Sequence, residues 1–138
     1  MATEIESPNT LNVTLADQHV VRRAMVVVGL ASIALVHVLD LQGKLDELPY
    51  VGAMFIGLIV ACLLVAEALI RTDQRLAWLA AGVLAAGTML GYTVSRTTGL
   101  PGDHDSDVGN WLEPLGLASL VVEGIVVLLA LARLTDHR

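Results

Sequence analysis

The sequence has a single cysteine and few charged or aromatic residues. Because Cys62 is the only cysteine, the chain forms no intramolecular disulfide. Charged residues make up 16% of the chain, against about 25% in a typical soluble domain. Aromatic residues make up 4%, and no basic cluster offsets the formal net charge of −6. These shortages disfavour both an ordinary soluble domain and a protein that binds nucleic acid.

Long apolar runs are abundant instead. Hydrophobic residues make up 55% of the 138 residues, and the mean hydropathy is +0.70. Four runs come close to the roughly 20 residues that span a bilayer. We therefore predict an all-α fold in which residues 14–138 form a four-transmembrane-helix bundle after a mobile cytoplasmic tail at 1–13. The predicted helices lie at about 14–41, 51–71, 75–96 and 111–133.

Basic residues are unevenly divided between the two ends of these predicted helices. One end carries six arginines, and the other carries only Lys44 and Arg96; the six are Arg22, Arg23, Arg71, Arg75, Arg133 and Arg138. The positive-inside rule then places both termini in the cytoplasm of a multi-pass plasma-membrane protein whose main partner is the lipid bilayer. Between the first two helices, leucines at 41, 45 and 48 suit either a short interfacial helix or an ordinary connection.

Glu123 interrupts the apolar run "ASLVVEGIVVLLALARL" near the middle of the fourth helix. A charged carboxylate at the bilayer centre is costly, and no basic residue lies at its depth. We expect Glu123 to be largely neutral at pH 7 and to point into the bundle or a protein interface. A neutral packing group, a group that handles protons or cations, and a contact with a partner subunit all remain open. Its depth matches that of three other polar residues, which could complete a polar layer: Ser32, Cys62 and Thr88.

A second polar group is predicted at the outer ends of the helices, from His37, Asp40, Arg96 and Glu113. Because Arg96 lies on the arginine-poor side, we predict that it pairs with Asp40 or Glu113. The alternative to an ion-pair network is a metal or small-ligand site, since histidine and carboxylates bind divalent cations. Within the fourth helix, Glu113 and Glu123 recur at helical spacing, so a path from the outer mouth to the membrane centre is geometrically allowed.

The loop "PGDHDSDVGNWLEP" supplies further weak metal candidates: Asp103, His104, Asp105 and Asp107. It fails as an EF-hand because Val108 and Pro114 stand where the pattern requires glycine and glutamate. The fourth helix starts either with a capping box from Asn110 to Glu113 or with Pro114 in its first turn.

Two other patterns concern packing. Glu67 and Arg71 are four residues apart and should form an ion pair on one helix face. The third helix contains "GTMLG", in which Gly87 and Gly91 would let two backbones approach closely. This close approach suits packing within the bundle or, alternatively, a homo-oligomer.

The segments "HVLDLQGKLDELPYVGAMF" and "SRTTGLPGDHDSDVGNWLEPLGLASLVVEG" resemble a family of small four-helix membrane proteins of actinobacteria. The resemblance covers the outer halves of the four helices and both outer loops. The family is uncharacterised, so the resemblance implies no reaction and no cofactor, and directs attention to the outer face and Glu123.

Three functions are compatible with these patterns. The first expectation is a non-enzymatic accessory subunit that binds a larger membrane complex. The second is an oligomeric transporter or channel component in which Glu123 handles protons or a cation. The third is a metal-binding membrane protein with its site at the outer mouth. No cofactor is required by the sequence, since the apolar runs within the predicted helices contain one histidine, His37, and the chain has no phosphate-binding loop.

Overall fold

The computed structural model describes residues 8–104 and 107–136, with side chains from residue 12 onward. Its described residues form four α-helices: α1 (Pro8–Glu47), α2 (Pro49–Arg71), α3 (Arg75–Thr97) and α4 (Pro114–Thr135). Each helix is long and apolar enough to cross a membrane. The predicted all-α, four-helix architecture is thus confirmed.

Helix α1 differs most from its prediction. It begins at Pro8, inside the predicted tail, and continues to Glu47, so Thr14 is not its start. Neither alternative for residues 41–48 is observed, because the spaced leucines continue α1 and only Leu48 separates it from α2. Pro49 lacks the backbone N–H that would extend α1, and it occupies the first turn of α2 instead. Tail residues 1–7 lie outside the described part of the chain.

Helix α1 is longer than a bilayer is thick. Its 40 residues correspond to about 60 Å of helix, whereas the hydrocarbon core of a bilayer is about 30 Å thick. The other three helices have 22 or 23 residues each and match one crossing. Part of α1 must therefore extend beyond the bilayer in any upright arrangement.

The helices form an incompletely closed ring. Helix α1 packs mainly on α2 and α4, and α3 packs mainly on α4, whereas α2 and α3 contact each other least among these neighbouring pairs. Buried apolar side chains between them form the core, among them Leu30, Ile33, Leu69, Trp78 and Val126. Many large apolar side chains remain exposed on the outer faces of all four helices, as lipid contact would require.

We name the two ends of the bundle by their residues. The loop end carries the α1–α2 junction and the described residues between α3 and α4, and the terminal end carries the α2–α3 connection and the last turn of α4. At the terminal end Asp73 accepts hydrogen bonds from Trp78 Nε1 at 2.7 Å and from Arg133 at 2.9 Å. Trp78 is 1% exposed, so it is a core residue of this end.

Candidate functional site

Arg96 is the centre of an ion-pair cluster at the loop end. Its guanidinium lies 2.7 Å from Asp107 and 3.2 Å from Glu113, and only 7% of its side chain is exposed. The Arg96 Cζ atom also lies 4.8 Å from the centre of the Tyr92 ring, within the range of a cation–π contact. The predicted pairing of Arg96 with Glu113 is present in the structure. Asp107 is an additional partner, which the sequence pointed to only as part of the acidic loop.

The 98–113 loop folds back over the end of α3 and places Asp107 there. The backbone N–H of Gly109 donates to the Arg96 carbonyl at 2.9 Å, and Gly109 has a φ of 83°, a conformation that favours glycine. Asp107 also contacts Lys44 Nζ at 3.4 Å, so it links the ends of α1 and α3. Partial burial alone would raise the pKa of Asp107. The hydrogen bond from Arg96 and the charges of Lys44 and Arg96 outweigh this effect and hold that pKa below its usual value.

Glu113 has two roles in this cluster. It is the N-cap of α4, where its carboxylate accepts the backbone N–H of Gly116 at 3.1 Å, and the same oxygen faces Arg96. Pro114 occupies the first turn, so the proline alternative for the helix start is confirmed. The capping box from Asn110 is absent. The Glu113 carboxylate thus connects the first turn of α4 to Arg96 near the end of α3.

Glu123 lies on the inner face of α4 and is 2% exposed. Ser119, one turn nearer the loop end, donates a hydrogen bond of 2.5 Å to Oε1. The second oxygen, Oε2, is buried and has no hydrogen-bond partner among the described residues. The prediction that Glu123 points inward is confirmed. Only one of the two carboxyl oxygens of Glu123 thus has a hydrogen-bond partner. A buried polar atom without a partner is unfavourable.

The predicted polar layer around Glu123 is only partly formed. Thr88 and Glu123 line the same cavity, although the Thr88 hydroxyl donates to the carbonyls of its own helix. Cys62 is fully buried in the apolar core. Ser32 lies in a separate apolar recess between α1 and α4, and its hydroxyl donates to the Val28 carbonyl. Cys62 is nevertheless near enough to Glu123 for the two groups to interact electrostatically, so of the three residues only Ser32 lies apart from Glu123.

A cavity of about 440 Å³ joins the loop-end cluster to Glu123. Charged side chains line it at the loop end, and Ser119 and Glu123 line it deeper along α4. The rest of the lining is mainly apolar, with Met54, Phe55, Leu58, Val83, Leu84 and Leu115. The path that the spacing of Glu113 and Glu123 allowed therefore exists as space between the four helices.

His37 and Asp40 also line this cavity, from the α1 side. His37 Nδ1 lies 2.8 Å from the Ile33 carbonyl and so carries its hydrogen, and the imidazole packs edge-on against Phe55. Within residues 8–104 and 107–136, no three histidine, cysteine or acidic side chains are grouped closely enough to hold a metal ion. His37, Asp40 and Glu113 thus do not converge as ligands, nor do Asp103, His104 and Asp107; Asp105 lies outside the described residues.

Gly87 and Gly91 do not mediate close packing within the bundle. Both are exposed, and a Cβ added at either would meet nothing within 4 Å. Both line the cavity, on the side where α3 faces α2. Internal packing of α3 depends instead on Ala81 and Ala85, which are fully buried. The expected intramolecular role of the "GTMLG" pattern is therefore wrong for this chain, and a homo-oligomer contact stays a prediction.

Several residues of the site could not be identified from the sequence. Ser119 is one turn before Glu123, and that i, i+4 spacing was an available signal for their hydrogen bond. Phe55 and Tyr92 gave no such signal, because each contacts the cavity only after α2 and α3 are packed. The i, i+4 ion pair of Glu67 and Arg71, which the spacing did predict, is present on the exposed side of α2, away from this cavity.

No protein-family model, curated protein or solved structure matches the chain. The resemblance to an actinobacterial membrane family stays a prediction, and function has to be argued from the geometry.

Proposed function

We propose that this chain is an integral membrane protein that takes up a proton or a cation at Glu123 through the cavity from the loop end. It would act as a component of a transporter or channel. One observation carries the proposal: a single cavity connects the charged loop end with the buried, unpartnered Oε2 atom of Glu123. Polar residues in the interior of a membrane bundle are costly and commonly mark pathways of ions or protons.

A purely structural carboxyl group would fit this environment poorly. Packing alone would favour an apolar side chain, because a buried polar atom without a partner costs about 1–3 kcal/mol. Ser119 satisfies only one of the two oxygens. A proton at Oε2 would remove the charge of the buried carboxylate, and a bound cation would compensate it. The cavity supplies a route by which either could reach it.

The direction of uptake follows from the distribution of basic residues. We place the loop end outside the cell, since the described arginines at the terminal end are Arg22, Arg23, Arg71, Arg75 and Arg133. The cavity then opens to the exterior. A single chain of four helices has little room for two gates, and the proposal keeps the expectation that the protein works as an oligomer. An accessory role in a larger complex also stays a prediction, because the exposed apolar faces suit lipid and protein partners equally.

Labelling with dicyclohexylcarbodiimide tests the proposal. This apolar reagent adds to protonated carboxyl groups, so a neutral and accessible Glu123 should gain a covalent adduct that peptide mass spectrometry detects. Glu67 is the internal control, because it forms an ion pair with Arg71 on the exposed side of α2, outside the cavity. Glu123→Gln should fold normally, since glutamine keeps the shape and polarity of the neutral acid, and should show no adduct at position 123.

Flux measurements complete the test. In proteoliposomes containing a pH-sensitive dye, the wild-type protein should dissipate an imposed pH or cation gradient, and Glu123→Gln should not. Absence of the adduct at Glu123, or equal fluxes in both proteins, would contradict the proposal.

A further inference from the structure

The charges around the cavity are unbalanced. Four carboxylates and two basic groups line it: Asp40, Asp107, Glu113 and Glu123 against Lys44 and Arg96. Both basic groups already contact carboxylates, Lys44 at 2.9 Å from Glu47 and 3.4 Å from Asp107, and Arg96 as described above. Among the described residues, Asp40 and Glu123 have no basic side chain in ion-pair contact. The cavity therefore favours a positively charged occupant.

The walls of the cavity favour an occupant with an apolar body. The chain has only two tyrosines and one phenylalanine, and all three line the cavity: Tyr50, Phe55 and Tyr92. Aromatic faces attract cations, most strongly where water is excluded. A small inorganic cation would instead need several oxygen ligands around it. Beside Glu123 the lining offers two further side-chain oxygens, the hydroxyls of Ser119 and Thr88, fewer than the roughly six oxygen ligands that a calcium or magnesium ion takes.

Size and access point to the same class of molecule. A volume of about 440 Å³ lies within the range of about 300–1,000 Å³ that is typical of sites for drug-sized ligands. The cavity adjoins the weakly packed side between α2 and α3, where Gly87 and Gly91 are exposed. Because no side chain projects from either glycine, a molecule dissolved in the bilayer could reach the cavity between these helices.

We infer that the cavity binds an organic cation with a bulky apolar body, whose positive charge lies beside Oε2 of Glu123. This inference rests on the proposed function and names its substrate class. When the cation binds, Glu123 releases its proton through the cavity and the resulting carboxylate compensates the charge of the cation. The aromatic and aliphatic walls contact its body, and Asp40 adds negative potential at the loop end. An organic anion is disfavoured because Lys44 and Arg96 are already paired with carboxylates.

Two ions of the same shape and opposite charge test this inference. Binding of radiolabelled tetraphenylphosphonium and tetraphenylborate is measured on the protein in lipid nanodiscs, with empty nanodiscs subtracted. The phosphonium should bind saturably, and the borate should not. Glu123→Gln should weaken binding of the phosphonium by about tenfold or more, the loss expected when a charged partner is removed from an apolar site. Glu67→Gln is the matched control, since it removes an exposed carboxylate outside the cavity and should leave binding unchanged.

A second arm does not depend on folding of a variant. Wild-type protein that carries the carbodiimide adduct at Glu123 should lose phosphonium binding, and phosphonium added first should slow formation of the adduct. Equal binding of both ions, or wild-type binding in Glu123→Gln, would overturn the inference. So would absence of phosphonium binding in protein whose Glu123 reacts with carbodiimide, and that result would leave proton or inorganic-cation uptake standing. Absence of the adduct itself would count against the proposed function.

Discussion

Arg96 and Glu123 are both buried ionisable residues, but they differ in the number and origin of their partners. Arg96 is paired with carboxylates from two other segments, Asp107 in the loop and Glu113 at the start of α4. Glu123 receives a single hydrogen bond, from its own helix, and keeps one oxygen unpartnered. The first arrangement holds the loop and the start of α4 against the end of α3, because Arg96 contacts one carboxylate from each. The unpartnered Oε2 atom of Glu123 is available to a proton or a cation that enters the cavity.

The Asp107 contacts predict a pH-dependent contribution to stability. Because the pKa of Asp107 is lower in the folded protein than in the unfolded chain, its stabilising effect is present above the ordinary aspartate pKa of about 3.9. The effect is lost as the pH falls below that value and through the lowered pKa. Asp107→Asn should therefore lower the melting temperature at pH 7, and the difference from wild type should shrink below about pH 4.

Thermal unfolding in detergent, followed by tryptophan fluorescence across this pH range, measures the effect. Asp46→Asn is the matched control, because Asp46 is exposed near the same end and forms no ion pair with a described residue. A difference between Asp107→Asn and wild type that stays constant down to pH 3 would show that the ion pairs of Asp107 do not stabilise the fold.

At the scale of the helices, the surroundings of the glycines show where two helices pack tightly and where space remains. A Cβ at Gly29 would collide with the Val126 side chain, so this glycine permits the close approach of α1 and α4. Gly82 similarly lies against Ala130, where a Cβ would be 3.2 Å from the alanine methyl. Gly87 and Gly91, in contrast, border the cavity with nothing within 4 Å of an added Cβ. Helix α3 therefore packs against α4 on one side and leaves space toward α2 on the other.

Gly29→Ala should destabilise the bundle by about 1–3 kcal/mol, the usual cost of overpacking a well-packed contact. Val126→Ala should offset much of that loss in the double variant, because it removes the methyl groups that the new Cβ would meet. Gly57→Ala is the control, since that position on α2 is exposed and has open space around it. Unfolding midpoints in detergent are measured for the wild type, the two single variants, the double variant and the control. Additive losses in the double variant would show that α1 and α4 do not approach closely at this point.

The helices themselves were predictable, because twenty-residue apolar runs have few alternatives. The inward direction of Glu123 and the i, i+4 pair of Glu67 and Arg71 followed from the same local rules. The extension of α1 to Glu47 was missed, since the polar residues after Asp40 resemble a loop although they remain compatible with a helix. The prediction that Gly87 and Gly91 pack closely within the bundle was wrong. A small-residue pattern allows close packing without requiring it, and only the packed bundle shows which face meets a neighbour.

At the scale of the whole molecule, the ring of helices is weakest between α2 and α3, and the cavity lies on that side. At the loop end, ion pairs and the hydrogen bond from the Tyr50 hydroxyl to the Pro101 carbonyl at 2.8 Å join the helices and the loop around the mouth of the cavity. At the terminal end, the hydrogen bonds that Trp78 and Arg133 donate to Asp73 join the α2–α3 connection, α3 and α4. The helices are thus held together at both ends and packed weakly along one side. A protein that admits an apolar molecule from the bilayer would need such a weakly packed side.

The remaining prediction concerns the orientation of the bundle. If the positive-inside rule decides it, the loop end faces outward and the terminal end inward. His104→Cys and Gln74→Cys place one exposed thiol at each end of the bundle. A membrane-impermeant maleimide on intact cells should label the first strongly and the second only after the membrane is permeabilised. The parent protein is the control, because Cys62 is fully buried and should not react in either condition. Labelling of Gln74→Cys in intact cells, with protection of His104→Cys, would reverse the orientation and place the mouth of the cavity in the cytoplasm.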